Sequence, residues 1–459
     1  MSSDINYNLM DIKDFIAFDK SNSKIPGYKH LVVQVLCSTV LFPEIEFTFS
    51  NIPKILDTQI ILKLLDYMGA SIQYENENIV INTKNLVNKI LPVADTSQVH
   101  GTLYLFPALF SRFGSATIGK TGGCSLIDSH NLGSRPYLHI KSVLEKFGAV
   151  VEINDDQMLA KHIKKNINLN SIDILDYSSS KEHLTGPYVS GACKTALLCS
   201  LSLSSDIVFE IKNSYLKPDV VEFYKFINLT NFNVELKGNS LYIKTISRSN
   251  LNKKVKFVFM DDISTLMTYI CFAVMFNKDL MVTLVDPESV RCGLQEELKL
   301  LKKMGLNPMF ENNVFNLHCV TEILPLEIDV YSTGIYSDHQ PFFALMLTKA
   351  KTKSVIREHV WKNRFSYAHE LNKLGYYFEV SEGSLVINPS NPKHTITNLC
   401  AQDLRSAAVL SIGACLNNAQ TTVTGINHLN RGYENLLEFL SHNGVKLQYE
   451  SNNCKFNFK

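Results

Sequence analysis

Four short segments hold the side chains of this sequence that could do chemistry. The first is Ile25-Pro-Gly-Tyr-Lys29-His30, which runs into the apolar, helix-like stretch Leu31–Phe42. A lysine at a helix mouth adds a point charge to backbone donors, a combination that suits an anion. The second runs from Lys120 to Pro136 and carries Gly-Gly-Cys124 and Gly133-Ser-Arg135 in a polar loop. A loop cysteine near cations acts as an acid or nucleophile when its pKa is lowered, and is otherwise an exposed thiol. The third, Tyr336-Ser-Asp338-His-Gln340, opens another apolar helix and is followed by Lys362-Asn-Arg364-Phe. Asp338 there reads locally either as a helix cap or as a general base, with the cap favoured by pattern alone. The fourth is Gln402-Asp403-Leu-Arg405, again before an apolar helix, with Asn430-Arg431-Gly-Tyr beyond it. Each of its arginines reads either as a surface ion pair or as an anion clamp.

Arginine is scarce. The chain holds 45 basic residues, of which eight are arginine and 37 lysine. Codon bias accounts for the lysine, but a planar guanidinium fork on carboxylate or phosphate is hard to replace by lysine. Arg135, Arg364, Arg405 and Arg431 all fall in or beside the four segments.

The elements that must position these groups come from a repeat. An apolar-periodic helix ends at a glycine and is followed by an alternating strand, as in Leu64-Leu-Asp-Tyr-Met-Gly69 then Ala-Ser-Ile-Gln-Tyr. Further copies end at Gly148, Gly305, Gly375 and Gly444, and a degenerate copy has Thr230 near the glycine position. Glycine ends such helices because it accepts a left-handed conformation without a Cβ clash. Six units of mixed helix and strand predict two α/β domains of three units each. The boundary is expected at the polar, basic stretch Ser247–Lys254, giving a first domain over 27–253 and a second over 1–26 plus 254–459. If the apolar helices of the units open toward one cleft, their charged leaders converge there.

Composition excludes several classes. With 459 residues, 45% hydrophobic, 19% charged and net charge +1, the chain reads as soluble and globular, with no basic stripe for nucleic acid. No signal peptide is apparent, and the longest uncharged apolar stretch, Leu266–Phe276, is about half of a ~20-residue membrane span. Ten cysteines without CxxC pairs or zinc spacing read mostly as buried thiols in a reducing compartment, and the cytoplasm is the expected location. P-loop, dinucleotide and GxSxG signatures are missing.

Taken together and in order, these segments resemble the enolpyruvyl transferases, specifically the UDP-N-acetylglucosamine branch, from about Lys29 to Tyr449. Ser-Asp338-His-Gln340 looks like that family's Thr-Asp-x-Gln, Lys-Asn-Arg364-Phe like Glu-Asn-Arg-Phe, and Asp403-Leu-Arg405 like Thr-Asp-Leu-Arg. His428-Leu-Asn-Arg431-Gly-Tyr-Glu434 looks like His-x-x-Arg-Gly-Tyr-Glu, and the Cys124 segment like the catalytic loop. The phosphoshikimate branch fits worse, its Gly-Asn-Ala-Gly-Thr and Ser-Ser-Gln signatures being missing. The resemblance implies a two-domain inside-out α/β barrel built from six βαβαββ-type units, with the active site between domains. It implies transfer of the enolpyruvyl group of phosphoenolpyruvate (PEP) to a hydroxyl, with phosphate released and no metal or organic cofactor. By it, Asp338 is the base, Cys124 the loop acid, and Lys29, Arg135, Arg405 and Arg431 hold PEP, supported by Arg364 and Asp403.

The departures from the family pattern cluster on the acceptor side. The family's Lys-Asn is Lys29-His30, an expected arginine is His100, Arg-Pro-Val-Asp-Leu-His is Arg135-Pro-Tyr-Leu-His139-Ile, and Lys-Val-Ser-Val-Gly is Pro187-Tyr-Val-Ser190-Gly191. The stretch from Cys124 to Arg135 is longer than the family's, which leaves Asp128 or His130 able to share the acid role. The expectation is a transferase with an altered acceptor, a nucleotide or sugar phosphate, with His30, His100, His139, Ser190 and Gly191 on the acceptor side. Two alternatives compete. One is the ordinary cell-wall enzyme acting on UDP-N-acetylglucosamine; the other is a paralogue that binds without turnover, for which His100 speaks and the retained charged set speaks against.

Overall fold

The computed structural model describes residues 15–17, 24–122, 137–154, 156–162, 169–203, 207–318, 320–393, 395–417, 419–450 and 453–457. Cys124, Asp128, His130 and Arg135 lie outside the described residues, as does most of the segment before Lys24.

The unit predicted by the repeat is plainest at 327–388. Strand Glu327–Val330 is followed by helix Gln340–Leu347, strand Ser354–Glu358, helix Ser366–Lys373 and the hairpin Tyr377–Ser381 with Ser384–Asn388. The first two strands pair in parallel, Ile328 opposite Ile356, and the hairpin adds antiparallel. Parallel neighbours need a crossover, which is what the first helix supplies. The described residues form six such sheets, five of four strands and one of three. In the three-stranded sheet an isolated parallel bridge, Leu91 to Ile118, stands where the first strand would be.

The layers are inverted relative to an ordinary α/β protein. Helices Lys29–Ser38, Leu105–Phe113 and Val189–Ser200 are apolar around nearly their whole circumference, as are Ile263–Met275, Gln340–Leu347 and Leu404–Cys415. A helix without a polar face must be surrounded by protein. Leu105–Phe113 packs on both of its partners, and the last three pack on one another, with the sheets outside. The result is a two-domain inside-out α/β architecture. The long apolar run Leu266–Phe276 is the core helix of the second half, every residue of Ile263–Met275 being buried. Among the described residues no helix is long and apolar enough to cross a membrane.

Two details depart from expectation. Strand Lys254–Val258 pairs in parallel with Glu46–Ser50, so the first unit takes its edge strand from beyond the expected boundary at residue 253. The chain crosses between halves at two adjoining segments, where the Tyr28 amide donates to the Met260 carbonyl and the Asp262 amide to the Pro26 carbonyl, both at 2.8 Å. Strand Phe15–Ala17 pairs with Asp279–Thr283. In the degenerate repeat the left-handed residue is Asn231, at φ 78°, and not Thr230, which caps helix Pro218–Leu229 in right-handed geometry. Asparagine tolerates that region because its short amide bonds locally, here donating to the Asn250 carbonyl at 2.7 Å.

The helix-ending glycines share a conformation and differ in surroundings. Gly305 and Gly375 have φ 91° and 103°. A Cβ at Gly305 would meet nothing closer than 3.9 Å, whereas one at Gly375 would meet the Lys393 amide nitrogen at 2.9 Å. Gly305→Ala is expected to cost about 1–2 kcal/mol, the left-handed strain alone, and Gly375→Ala distinctly more. Chemical denaturation of the two variants checks this, and equal losses would contradict it.

Candidate active site

The cleft between the halves is where the charged helix leaders meet. Lys29, His30, His100, His139, Ser190, Gly191, Asp338 and Arg431 all line it. Helices Lys29–Ser38 and Val189–Ser200 begin at it, which brings the partial positive charge of their N-termini to the cleft.

Two carboxylates organise its cations. Asp57, in the first turn of helix Leu56–Tyr67, lies 3.1 Å from the Lys29 ammonium and 3.6 Å from Arg431 Nε. The Lys29 amide donates to Asp262 at 3.0 Å, fixing the helix start at the interdomain crossing. Burial pulls the Lys29 pKa down, opposed by Asp57. Asp338 Oδ1 accepts from Arg364 at 2.6 Å and Oδ2 from Arg405 Nε at 3.0 Å, with His30 Nε2 3.4 Å away. Burial alone would raise the Asp338 pKa, but the two guanidiniums and His30 outweigh it and hold the carboxyl well below its usual range. Arg405 also donates to the Tyr433 hydroxyl at 2.9 Å, which in turn meets Thr268 Oγ1 at 2.7 Å.

These contacts decide the local alternatives. Asp338 makes no cap bond: its helix starts from His339, and its carboxylate is spent on arginine. Asp403 is the cap, accepting from the Arg405 and Ser406 amides at 2.8 Å each. Arg364, Arg405 and Arg431 are not surface ion pairs, being 7%, 2% and 8% exposed. His139 is buried and stacks on Tyr188 with centroids 5.3 Å apart, and burial lowers its pKa to about 4, so the ring is neutral. A Cβ at Gly191 would fall 2.0 Å from His139 Nε2, so that close approach requires glycine. Of the described cysteines, Cys37, Cys193, Cys199, Cys271, Cys415 and Cys454 are buried, and Cys292 and Cys400 are exposed. No cluster among the described residues has the ligands to hold a metal ion.

Sequence reasoning missed Asp57, Lys194, Lys217, Asp219, Glu297 and Glu358. Lys194 and Asp219 form a buried ion pair in the cleft wall. Glu358 accepts from the Ser337 hydroxyl and the Val360 amide, both at 2.8 Å, bracing the segments on either side of Asp338. Glu297 accepts from the Tyr336 amide at 2.9 Å and faces His339 Nδ1 at 2.8 Å, while His339 Nε2 meets Ser264 at 2.9 Å. The one available signal for Asp57 and Asp219 was a carboxylate in the first turn of a predicted helix.

Glu297 holds the Asp338 segment from beneath. Burial would raise its pKa, but His339, Lys217 and the Tyr336 amide outweigh it and keep the carboxyl below its usual range. A depressed carboxylate stabilises the fold above its ordinary pKa and loses that contribution as the pH falls. Glu297→Gln is therefore expected to lower stability at pH 7 by about 2 kcal/mol. The gap to the parent protein should hold down to about pH 5 and narrow below about 4.5. Denaturant midpoints across pH read this, and a gap that widens in acid would contradict it.

Comparison with known proteins identifies the family. The family profile of EPSP synthase (3-phosphoshikimate 1-carboxyvinyltransferase) matches residues 20–440. A UDP-N-acetylglucosamine 1-carboxyvinyltransferase from Buchnera aphidicola subsp. Schizaphis graminum is 28% identical, over 95% of this chain and 99% of its own length. A second, from Carboxydothermus hydrogenoformans, is 27% identical over 91% of this chain and 92% of its own. The crystal structure of the enolpyruvyl transferase NikO from Streptomyces tendae superposes with TM-score 0.84 at 29% identity, over 93% of this chain and 95% of that one. An EPSP synthase from Acinetobacter baumannii shares the fold at TM-score 0.66 and 13% identity. The chain belongs to the EPSP synthase family and is an enolpyruvyl transferase.

Proposed function

We propose that this enzyme moves the enolpyruvyl group of PEP to a hydroxyl of a phosphorylated acceptor, a nucleotide or sugar phosphate, by addition and elimination. The observation that carries the reading is the gathering of Lys29, Arg431, Arg364 and Arg405 around Asp57 and Asp338 at one cleft. PEP brings a carboxylate and a phosphate, and several cations are needed around the intermediate that keeps both.

The steps follow from that chemistry. C3 of PEP takes a proton and C2 becomes oxocarbenium-like. The acceptor oxygen bonds to C2 as its proton passes to Asp338. The tetrahedral adduct then loses a C3 proton and breaks the bond from C2 to the phosphate oxygen, leaving the enol ether and inorganic phosphate. Lys29, Arg405 and Arg431 hold the PEP anions, together with Arg135, which lies outside the described residues. Cys124, also outside them, supplies the proton to C3. Asp338 held by both Arg364 and Arg405 is a poor base, because the two guanidiniums stabilise its charged form. PEP anions that engage Arg405 relieve that hold, so the base gains strength only once PEP is in place.

The acceptor-side departures favour an acceptor other than UDP-N-acetylglucosamine. Pro187, Tyr188 and the neutral, stacked His139 stand where the resemblance expects polar contacts to the nucleotide. The family relatives named for UDP-N-acetylglucosamine support the competing reading.

Phosphate release from PEP with UDP-N-acetylglucosamine, UMP and a panel of other sugar and nucleoside phosphates separates the readings. Release with a phosphorylated acceptor other than UDP-N-acetylglucosamine is expected, and Asp338→Asn should lower kcat by about 10²–10⁴-fold with the fold retained by circular dichroism. Release with UDP-N-acetylglucosamine at ordinary enzyme rates would refute the altered acceptor. Binding of PEP without release on any acceptor would refute transfer itself.

A further inference from the structure

Lys217 is the N-cap residue of helix Pro218–Leu229 and lies in the cleft wall. It is 7% exposed. Its ammonium donates to the Gly334 carbonyl and sits 4.4 Å from the centroid of the Tyr336 ring. An ammonium has three donors and no acceptor, and a carbonyl with a ring face leaves it without a counter-ion. The carboxylates whose charge reaches it, Glu297, Asp219 and Glu296, do not form ion pairs with it. Asp219 is taken by Lys194, and Glu297 by His339 and the Tyr336 amide. Burial accordingly lowers the Lys217 pKa.

A buried cation without a carboxylate is costly to a folded protein unless an anion reaches it. Lys29 and Arg431 have Asp57, and Arg364 and Arg405 have Asp338. Among the described residues Lys217 has no such partner, which sets it apart from the cations assigned to PEP. Its surroundings also give an anion room. Lys217 and Ser332 line both the main cleft and an adjoining cavity, whose wall includes His183, Asn213 and Asn239 and one carboxylate, Glu182. Polar side chains therefore line the space that adjoins the ammonium beyond the main cleft.

We propose that Lys217, with Ser332 beside it, receives the phosphate of the acceptor and so sets the enzyme's preference for phosphorylated alcohols. This rests on the transferase reading above and deepens it. The acceptor hydroxyl lies toward Asp338 and its phosphate toward Lys217. The position is not one that the sequence marked, because nothing in Leu216-Lys217-Pro218 distinguishes it from a solvated lysine before a helix.

Calorimetric binding of three probe pairs tests the assignment: UMP with uridine, 3-phosphoshikimate with shikimate, and UDP-N-acetylglucosamine with N-acetylglucosamine. The parent enzyme should bind at least one phosphorylated member about tenfold or more tightly than its partner, as a charge-assisted hydrogen bond implies. Lys217→Met should erase that preference while PEP affinity stays within about twofold, and Lys217→Arg should keep it. Thermal melts show that both variants fold. A preference that survives Lys217→Met, an equal loss of PEP affinity, or no preference in the parent enzyme would each overturn the proposal. Phosphorylated probes that bind through Lys217 without releasing phosphate from PEP would overturn the transferase reading and leave the Lys217 assignment standing.

Discussion

Four cations, Lys29, Arg364, Arg405 and Arg431, are buried at one cleft, and burying such charges costs a protein least beside a counter-charge. Asp57 and Asp338 supply it, each between two of them. Much of the architecture reads as the means of bringing those six side chains together. Lys29 and Asp57 come from the first unit, and Arg431 from the last. Asp338, Arg364 and Arg405 come from two consecutive units of the second half. With apolar helices inside and sheets outside, all the helix leaders can face one gap.

In that arrangement the carboxylates hold the cations in place. On the proposed reading PEP anions would share those cations, whose arginines then need not be ordered on binding. Asp338 is held well below the usual carboxylate range by Arg364 and Arg405, and on the proposed reading PEP anions at Arg405 would restore its basicity. The cleft wall around His139 follows another rule, with a neutral histidine, an internal Lys194–Asp219 pair and one lysine, Lys217, without a carboxylate partner among the described residues.

The repeat was legible because glycine at a helix end and alternation in the next strand are local signals. They located the helix ends, and they missed only by one residue where Asn231 takes the left-handed position in place of glycine. The role of Asp338 was not legible locally, since an aspartate before an apolar helix reads the same whether it caps or not. Asp403 and Asp338 share that pattern, and only the tertiary partners tell them apart. Asp57 was invisible because Arg431 stands at the far end of the chain. The edge strand Lys254–Val258 was placed in the wrong half for a similar reason: its polar leader looks like a linker, while its pairing with Glu46–Ser50 is non-local. Arginine scarcity was the sequence signal that reached furthest, since three of the four arginines it singled out are described and all three are buried at the cleft.

The central claim is that Asp338 is held as a weak base until PEP engages Arg405. Carbon-13 NMR of the Asp338 side-chain carboxyl, titrated with and without PEP, tests it most directly. The account predicts titration well below the usual carboxylate range in the free enzyme and a clear upward shift with PEP bound. An ordinary value in the free enzyme, or one that PEP leaves unchanged, would contradict it.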